Sequence, residues 1–130
     1  MPARVVVLGG GVGGTLVANL MARRLGANAS VTVVDPTGMH VYQPGFLYVA
    51  LGQADGRWLS RDERTLLDKR VDLVIETAER VDPERQVVHF ARGGSIAYDY
   101  LVLATGTRAD PRIRRGEPRV LLARRCAAAA

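Results

Sequence analysis

A short apolar run near the N-terminus is the first feature in the pattern of apolar and polar residues. Residues 5–8 are all apolar and end at a cluster of glycines, and a β-branched run of this length predicts a buried strand. Helical spacing starts at Thr15 and continues to Leu25, with Gly26 where a helix C-cap belongs. The apolar stripe of this predicted helix consists of Val17, Leu20, Met21 and Leu25.

Further apolar runs predict more strands. Residues 30–34, 71–75 and 100–104 each have the length and composition of a strand. Residues 78–82, 86–91 and 95–98 predict short antiparallel strands joined by turns. His89 lies on the second of these short strands, and we expect its side chain to face solvent.

The stretch after the second predicted strand is less regular. Residues 39–56 have no clear period but are rich in apolar and aromatic side chains. Such a loop either covers the core of its own domain or forms one wall of a pocket for a flat ring. Residues 59–68 predict a helix, with Ser60 as its N-cap and Asp62 and Glu63 in its first turn.

Gly9, Gly11 and Gly14 follow the first predicted strand at the spacing G-x-G-x-x-G. Gly9 permits a tight turn from strand to helix, Gly11 permits the close approach of a pyrophosphate, and Gly14 permits close packing of the helix on the strand. The backbone amides around Val12, Gly13 and Gly14 then point towards the phosphates, and the helix dipole favours the negative charge.

Asp35 follows the second predicted strand, 21 residues beyond Gly14. At this spacing a carboxylate accepts hydrogen bonds from the ribose hydroxyls of an adenosine. No arginine follows to receive a 2′-phosphate, so the pattern favours FAD or NAD over NADP. The alternative is an ordinary turn between strand and helix with a solvated aspartate.

The run at residues 100–104 also ends in small residues, Ala104, Thr105 and Gly106. A strand that ends in this way indicates either that its backbone approaches a ligand closely or that the chain makes a plain turn. The residues themselves leave both interpretations open.

Composition and charge exclude several classes of protein. The 130 residues suffice for one domain with a core, and the single cysteine excludes a disulfide framework. No signal peptide and no apolar stretch of about 20 residues is found. The net charge of +5 lies entirely in residues 107–130, where seven arginines stand against Asp110 and Glu117, so we expect no nucleic-acid partner.

Residues 3 to about 110 resemble the N-terminal FAD-binding segment of the pyridine nucleotide-disulfide oxidoreductase superfamily. The resemblance rests on the glycine motif, on Asp35 and on the stretch Tyr98-Asp99-Tyr100-Leu101-Val102-Leu103-Ala104-Thr105-Gly106-Thr107. His40-Val41-Tyr42-Gln43-Pro44-Gly45 and the Val81-Asp82-Pro83 turn are similar to sulfide:quinone oxidoreductases and, next, to type II NADH dehydrogenases.

The resemblance implies a fold and a set of contacts with FAD. The fold is an incomplete α/β Rossmann-like domain, whose parallel sheet has the order 71–75, 30–34, 4–8 and 100–105. Helices would cover one face of the sheet, and a small antiparallel meander the other. The glycine motif would hold the FAD pyrophosphate and Asp35 the adenosine ribose. Ala78 would lie at the adenine, the 104–106 segment near the middle of the cofactor, and Tyr42 to Gly45, including Pro44, near the flavin.

The implied activity is electron transfer from sulfide or NADH through FAD to a quinone, by a cytoplasmic enzyme at the periphery of the membrane. Enzymes of this kind are several times longer and have a second FAD segment, so we expect this chain alone to be inactive and to self-associate through an open sheet edge. The alternatives are a stand-alone module that binds NAD or an adenine nucleotide, and an inactive truncated product. We expect a domain over residues 1–109 and a disordered or out-of-frame tail over 110–130, which contains Cys126.

Overall fold

A parallel sheet of four strands forms the centre of the computed structural model, which describes residues 1–107. The strands of this sheet, in spatial order, are β5 (Val71–Ile75), β2 (Ala29–Asp35), β1 (Ala3–Leu8) and β9 (Tyr100–Leu103). All three pairings are parallel, and Val5 lies between Val31 and Tyr100. The predicted order of strands is confirmed, and all four carboxyl ends meet at one edge. The predicted tail with Cys126 lies outside the described residues.

Helix α1 (Val12–Leu25) covers one face of this sheet through small side chains. Ala18 and Ala22 are buried against Val5 and Val7 of β1, and Gly14 is buried in the same row. The predicted apolar stripe is therefore partly wrong, because Leu20 and Leu25 are 41% and 40% exposed. Small residues four positions apart allow the helix axis to come close to the sheet, and this selects a different face from the one that hydrophobicity alone indicates.

A three-stranded antiparallel meander covers the other face, as predicted from the resemblance. Its strands are β6 (Ala78–Asp82), β7 (Val87–Phe90) and β8 (Ser95–Ala97). Val88 and Tyr98 are buried against Val6 and Leu8 of β1. The prediction that His89 faces solvent is wrong: the residue is half-buried, and its Nε2 atom is buried without a hydrogen-bond partner in the described chain.

The helix predicted over residues 59–68 is not formed. This part of the chain instead contains a 3₁₀ turn (Gly56–Leu59), strand β4 (Ser60–Asp62) and a second 3₁₀ turn (Glu63–Thr65). Strand β4 pairs antiparallel with β3 (Met39–Val41), and this tertiary pairing outweighs the local helical signal. The cap is Asp62 rather than Ser60, because Asp62 Oδ1 accepts a hydrogen bond of 2.9 Å from the Arg64 amide.

The segment between β3 and β4 also has defined structure. A 3₁₀ turn (Gln43–Gly45) leads into the short helix α2 (Phe46–Ala50), and none of the residues of α2 is buried. A fourth 3₁₀ turn, Gly26–Asn28, joins α1 to β2. Within residues 1–107, neither helix has the length and apolar character that crossing a membrane requires.

An ion pair between Arg4 and Asp99 joins the beginning of β1 to the residue before β9. Asp99 Oδ2 accepts a hydrogen bond of 2.7 Å from the Arg4 amide, and Oδ1 accepts one of 2.8 Å from the guanidinium group. The hydrogen bond from the Arg4 side chain is the main cause that lowers the pKa of Asp99 from 3.8 to about 2. A depressed carboxyl pKa stabilises the fold above 3.8, and this contribution is lost as the pH falls through about 2.

Replacing Asp99 by Asn should therefore reduce the acid dependence of stability in this window. We expect the free energy of unfolding of the unaltered chain to fall more steeply between pH 3.8 and about 2 than that of Asp99→Asn. Denaturant titrations at several pH values measure this difference. Asp72→Asn, an exposed position on β5, is the matched control. Equal slopes for the unaltered chain and Asp99→Asn would contradict the assignment.

Candidate functional site

The carboxyl edge of the sheet is formed around the segment Gly9–Gly14, which we call the glycine loop. Gly9 has a φ of +103° and donates a hydrogen bond of 2.8 Å to Val34 O. A side chain at Gly9 would collide with Ala104 O, and one at Gly14 would collide with Gly9 O. These two glycines are therefore required by the fold itself, because strand β1, helix α1 and the end of β9 approach each other through bare backbone.

Gly11 and Gly13 differ from Gly9 and Gly14, because they face open space. A Cβ atom added at either position would have no neighbour within 4 Å in the described chain. Gly11 caps α1 without a side-chain hydrogen bond, and the first turn contains no acidic residue. The amides of Val12, Gly13 and Gly14 thus lack partners within the helix, so this helix end offers donors and a positive potential to an anion. The space and the donors both fit a diphosphate.

Asp35 lies at the end of β2, directly beside the glycine loop. Its Oδ2 accepts a hydrogen bond of 2.9 Å from the Gly10 amide. Its Oδ1 accepts hydrogen bonds of 2.9 Å from the amides of Thr37 and Gly38 and from the Thr37 hydroxyl. Burial raises the pKa of Asp35, but these hydrogen bonds outweigh it, and the pKa lies below its ordinary value. The carboxylate therefore stays ionised at neutral pH.

A buried cluster of polar side chains contacts the glycine loop at Gly10. Glu63 is fully buried, with its Oε1 2.5 Å from Thr15 Oγ1 and its Oε2 3.1 Å from His40 Nδ1. His40 Nδ1 is also 3.0 Å from Gly10 O. The sequence placed Glu63 in a helical first turn, and a single acidic residue among many carried no signal for this role. In residues 1–107 no group of three or more histidine, cysteine, aspartate or glutamate side chains could hold a metal ion.

The segment that follows β9 reaches the glycine loop through its backbone. The Ala104 amide donates a hydrogen bond of 2.9 Å to Leu8 O, and Ala104 O lies against Gly9. Thr105 and Gly106 are exposed beyond this contact, and Gly106 has a φ of +70°. Small residues are therefore needed here for packing, and Thr105 and Gly106 remain accessible at the edge.

Ala78 and Pro44, which were also predicted to contact FAD, lie on other elements of the fold. Ala78 begins β6, shortly after the end of β5, and packs half-buried with the residues of the meander. Pro44 is exposed in the 3₁₀ turn Gln43–Gly45, which packs on the buried side chain of Leu59. The structure thus gathers the glycine loop, Asp35 and Ala104 through direct contacts, whereas the backbone hydrogen bonds around Pro44 run to Tyr42 and Leu59.

The apolar segment after β3 forms a cleft rather than a cover for the core. Tyr48 and Trp58 are 51% and 63% exposed, and they line a cleft of about 500 Å³ with Gln53, Ala54 and Asp55. The sequence allowed two roles for this loop, a cover for the core or one wall of a pocket for a flat ring. The exposure of its aromatic side chains agrees better with a pocket wall. Among residues 42–59, only Gly45 and Leu59 are buried.

Known proteins are similar to this chain in both sequence and fold. Residues 3–128 match the family model described as "Pyridine nucleotide-disulphide oxidoreductase". The chain is 32% identical over 114 residues to the mitochondrial sulfide:quinone oxidoreductase of Mus musculus, which covers 88% of this chain and 25% of the mouse protein. It is 29% identical over 122 residues to the type II NADH:quinone oxidoreductase of Haemophilus influenzae. This match covers 82% of this chain and 27% of the Haemophilus protein.

Solved structures agree with this relationship. The crystal structure of the sulfide:quinone oxidoreductase from Aquifex aeolicus superposes with a TM-score of 0.73 at 29% identity, over 83% of this chain and 25% of that one. The chain therefore spans about a quarter of the length of these relatives. Since the family model covers almost the whole sequence, this chain belongs to the pyridine nucleotide-disulphide oxidoreductase family.

Proposed function

We propose that this chain forms the FAD-binding portion of a flavoprotein oxidoreductase similar to sulfide:quinone oxidoreductase. The observation that carries this proposal is the open space beside Gly11 and Gly13 in the glycine loop. Gly11 and Gly13 leave room where any larger residue would project, and helix amides that lack partners within the helix border that room. Asp35 lies next to it with its carboxylate ionised, as an acceptor for ribose hydroxyls requires.

In the proposed site, different residues of the chain contact different parts of FAD. The amides of Val12, Gly13 and Gly14 would hold the diphosphate, Asp35 the adenosine ribose, and the backbone at Ala78 the adenine. Ala104, Thr105 and Gly106 would lie near the middle of the cofactor, and Pro44 near its ring system. Bound FAD supplies two-electron redox chemistry, while the protein supplies binding, orientation and electrostatics.

The electron donor and acceptor come from the relatives. The mouse and Aquifex proteins are named for sulfide and quinone, and the Haemophilus protein for NADH and quinone. We infer that the electrons of the whole enzyme pass from one of these two donors to a quinone. A place at the periphery of the cytoplasmic membrane is part of this proposal, because quinones are dissolved in the membrane. Within the described residues, neither helix could span a membrane.

The absorbance spectrum of the purified protein tests the proposal most directly. A flavin spectrum, with FAD identified after denaturation, supports the flavoprotein function. Colourless protein that NAD or ADP-ribose stabilises against heat would instead indicate a stand-alone nucleotide-binding module. Protein that responds to none of these ligands would contradict the nucleotide site altogether.

Replacing Gly11 by Val should remove most nucleotide binding and leave the fold intact. A Cβ atom at Gly11 has no neighbour within 4 Å among residues 1–107, so the substitution fills only the space proposed for the diphosphate. We expect the affinity for FAD or ADP-ribose to fall at least tenfold, or about 1.4 kcal/mol, with little change in melting temperature.

The matched control for this substitution is Gly56→Val. Gly56 also faces open space but lies in the 3₁₀ turn at Trp58, away from the glycine loop. Calorimetric titration of both variants and the unaltered chain gives the comparison. Unchanged affinity in folded Gly11→Val would show that the glycine motif is only a turn.

The site should discriminate against a 2′-phosphate. The Asp35 carboxylate accepts a hydrogen bond from the Gly10 amide, and the Glu63 side chain also lies beside Gly10. A phosphate on the ribose would face the Asp35 charge. We expect NAD to bind at least about tenfold more tightly than NADP, since one charge repulsion of this kind is worth about 1.4 kcal/mol or more. Asp35→Asn should narrow this ratio, whereas Asp72→Asn should not. Equal binding of NAD and NADP to the unaltered chain would refute the role of Asp35.

The chain as it stands should self-associate and lack activity. Strand β9 lies at an edge of the described sheet, where Tyr100 and Leu103 are 64% and 54% exposed. An apolar strand at a sheet edge is a template for pairing with another chain. We expect concentration-dependent association, substoichiometric FAD and no quinone reduction, measured by size-exclusion chromatography and a quinone assay.

Leu103→Lys should reduce this association, and Leu25→Lys, at an exposed position on α1, is the control. A monodisperse monomer that reduces quinone would refute this expectation.

A further inference from the structure

The two oxygens of the Asp35 carboxylate have different surroundings. Oδ1 accepts three hydrogen bonds of 2.9 Å, from the amides of Thr37 and Gly38 and from the Thr37 hydroxyl. Within residues 1–107, Oδ2 accepts one hydrogen bond of 2.9 Å, from the Gly10 amide. The protein itself therefore already uses most of the hydrogen-bonding capacity of this carboxylate.

The remaining capacity of Asp35 lies on one oxygen. A carboxylate oxygen has about two lone pairs with which it accepts hydrogen bonds. Three donors leave Oδ1 without a free acceptor position, whereas one donor leaves such a position on Oδ2. The ribose of an adenosine carries two neighbouring hydroxyls, and a carboxylate that contacts both needs a free position for each. In this arrangement Asp35 can accept a hydrogen bond from one hydroxyl only.

The turn from Asp35 to Met39 holds the carboxylate in this orientation. The Thr37 hydroxyl accepts a hydrogen bond of 3.1 Å from the Met39 amide. Its one hydrogen is donated to Asp35 Oδ1 at 2.9 Å rather than to Met39 O, which is uncharged and 3.5 Å away. Gly38 has a φ of +64°, and its carbonyl accepts a hydrogen bond of 2.9 Å from the Glu63 amide. The turn is thus fixed to the chain beyond β4, and the Thr37 hydroxyl is fixed within it.

We propose that Asp35 recognises only one of the two ribose hydroxyls, through Oδ2, and that Thr37 is the positioning residue that keeps Oδ1 out of this contact. The proposal rests on the nucleotide-binding function proposed above and refines the contact between Asp35 and the adenosine ribose. Such a site distinguishes 2′-deoxy from 3′-deoxy nucleotides. A carboxylate that contacts both hydroxyls loses affinity when either hydroxyl is removed.

The probes for this selectivity are ADP, 2′-deoxy-ADP and 3′-deoxy-ADP, which share the adenine and the diphosphate. We expect one deoxy nucleotide to bind about ten- to a hundredfold more weakly than ADP, because it lacks a hydrogen bond to a charged acceptor. The other should bind within about threefold of ADP. Calorimetric titration at neutral pH measures all three affinities. Similar losses for both deoxy nucleotides, or no loss for either, would overturn the proposal.

Removing a hydroxyl also changes the pucker of the sugar, so the same titrations are repeated with Asp35→Asn. Three donors converge at the Oδ1 position, so the asparagine oxygen belongs there. Its amide nitrogen then takes the Oδ2 position, where it cannot accept a hydrogen bond. The two deoxy nucleotides should then differ by less than about threefold, whereas Asp72→Asn should keep the full difference. A difference that persists in folded Asp35→Asn comes from the sugar itself and would overturn the proposal.

Thr37→Val and Thr37→Ser test the positioning role. Valine has a similar size but no hydroxyl, so the carboxylate can turn and present either oxygen to the ribose. We expect the ratio between the affinities of the two deoxy nucleotides to fall at least about threefold in Thr37→Val. In Thr37→Ser, which keeps the hydroxyl, the ratio should stay within about twofold of the unaltered chain. A lower melting temperature of Thr37→Val with an unchanged ratio would show a structural role alone and overturn the assignment of Thr37.

A measurement without ligand separates this proposal from the proposed function. In the NMR spectrum of the ligand-free chain, scalar couplings across hydrogen bonds should connect the amide nitrogens of Gly10, Thr37 and Gly38 to the Asp35 carboxyl carbon. Missing couplings from Thr37 and Gly38 would overturn the proposal, whatever binds to the glycine loop. Couplings that are present in a chain that does not bind ADP would instead refute the nucleotide site, and with it the contact of Asp35 with a ribose.

Discussion

The contact between Gly14 and the carbonyl of Gly9 determines most of the remaining structure. No side chain fits between them, so helix α1 begins directly against the end of β1. This contact brings the helix N-terminus to the carboxyl edge of the sheet, and the small residues Ala18 and Ala22 continue the close approach along the same face. Four parallel strands end at that edge, so one close contact gathers the glycine loop, Asp35 and Ala104 at the same place.

The glycines of the loop therefore have two different physical reasons to be glycine. Gly9 and Gly14 are fixed by packing, and a larger residue at either position would disrupt the fold without any ligand. Gly11 and Gly13 are free of such contacts, so their small size has no explanation within the described chain. A ligand that approaches the backbone closely supplies the explanation, and this separation is stronger support for a diphosphate site than the spacing alone.

The sequence predicted the sheet and the glycine loop well, because both depend on local patterns. Apolar runs of strand length identified all four parallel strands and the meander. The helix was predicted from Thr15, directly after the glycines, whereas α1 begins earlier, at Val12. The face of α1 was predicted incorrectly, because close packing selected Ala18 and Ala22 over the larger Leu20 and Leu25. The helix over residues 59–68 was wrong because pairing of β4 with β3 is a tertiary interaction. Glu63 was missed because its partners lie 48 and 23 residues away in sequence.

The loop is thus supported by a segment that contributes little to the apolar core. Strands β3 and β4 and helix α2 bury none of their own residues, and the larger apolar side chains of α2 are exposed. Segments with few buried apolar contacts are the first to open in a folded protein. Because His40 lies in this segment and Glu63 follows it directly, any opening also releases Gly10 and disturbs the loop. A ligand that requires the ordered loop must therefore stabilise the whole segment from β3 to β4, including the aromatic cleft at Tyr48 and Trp58, by mass action.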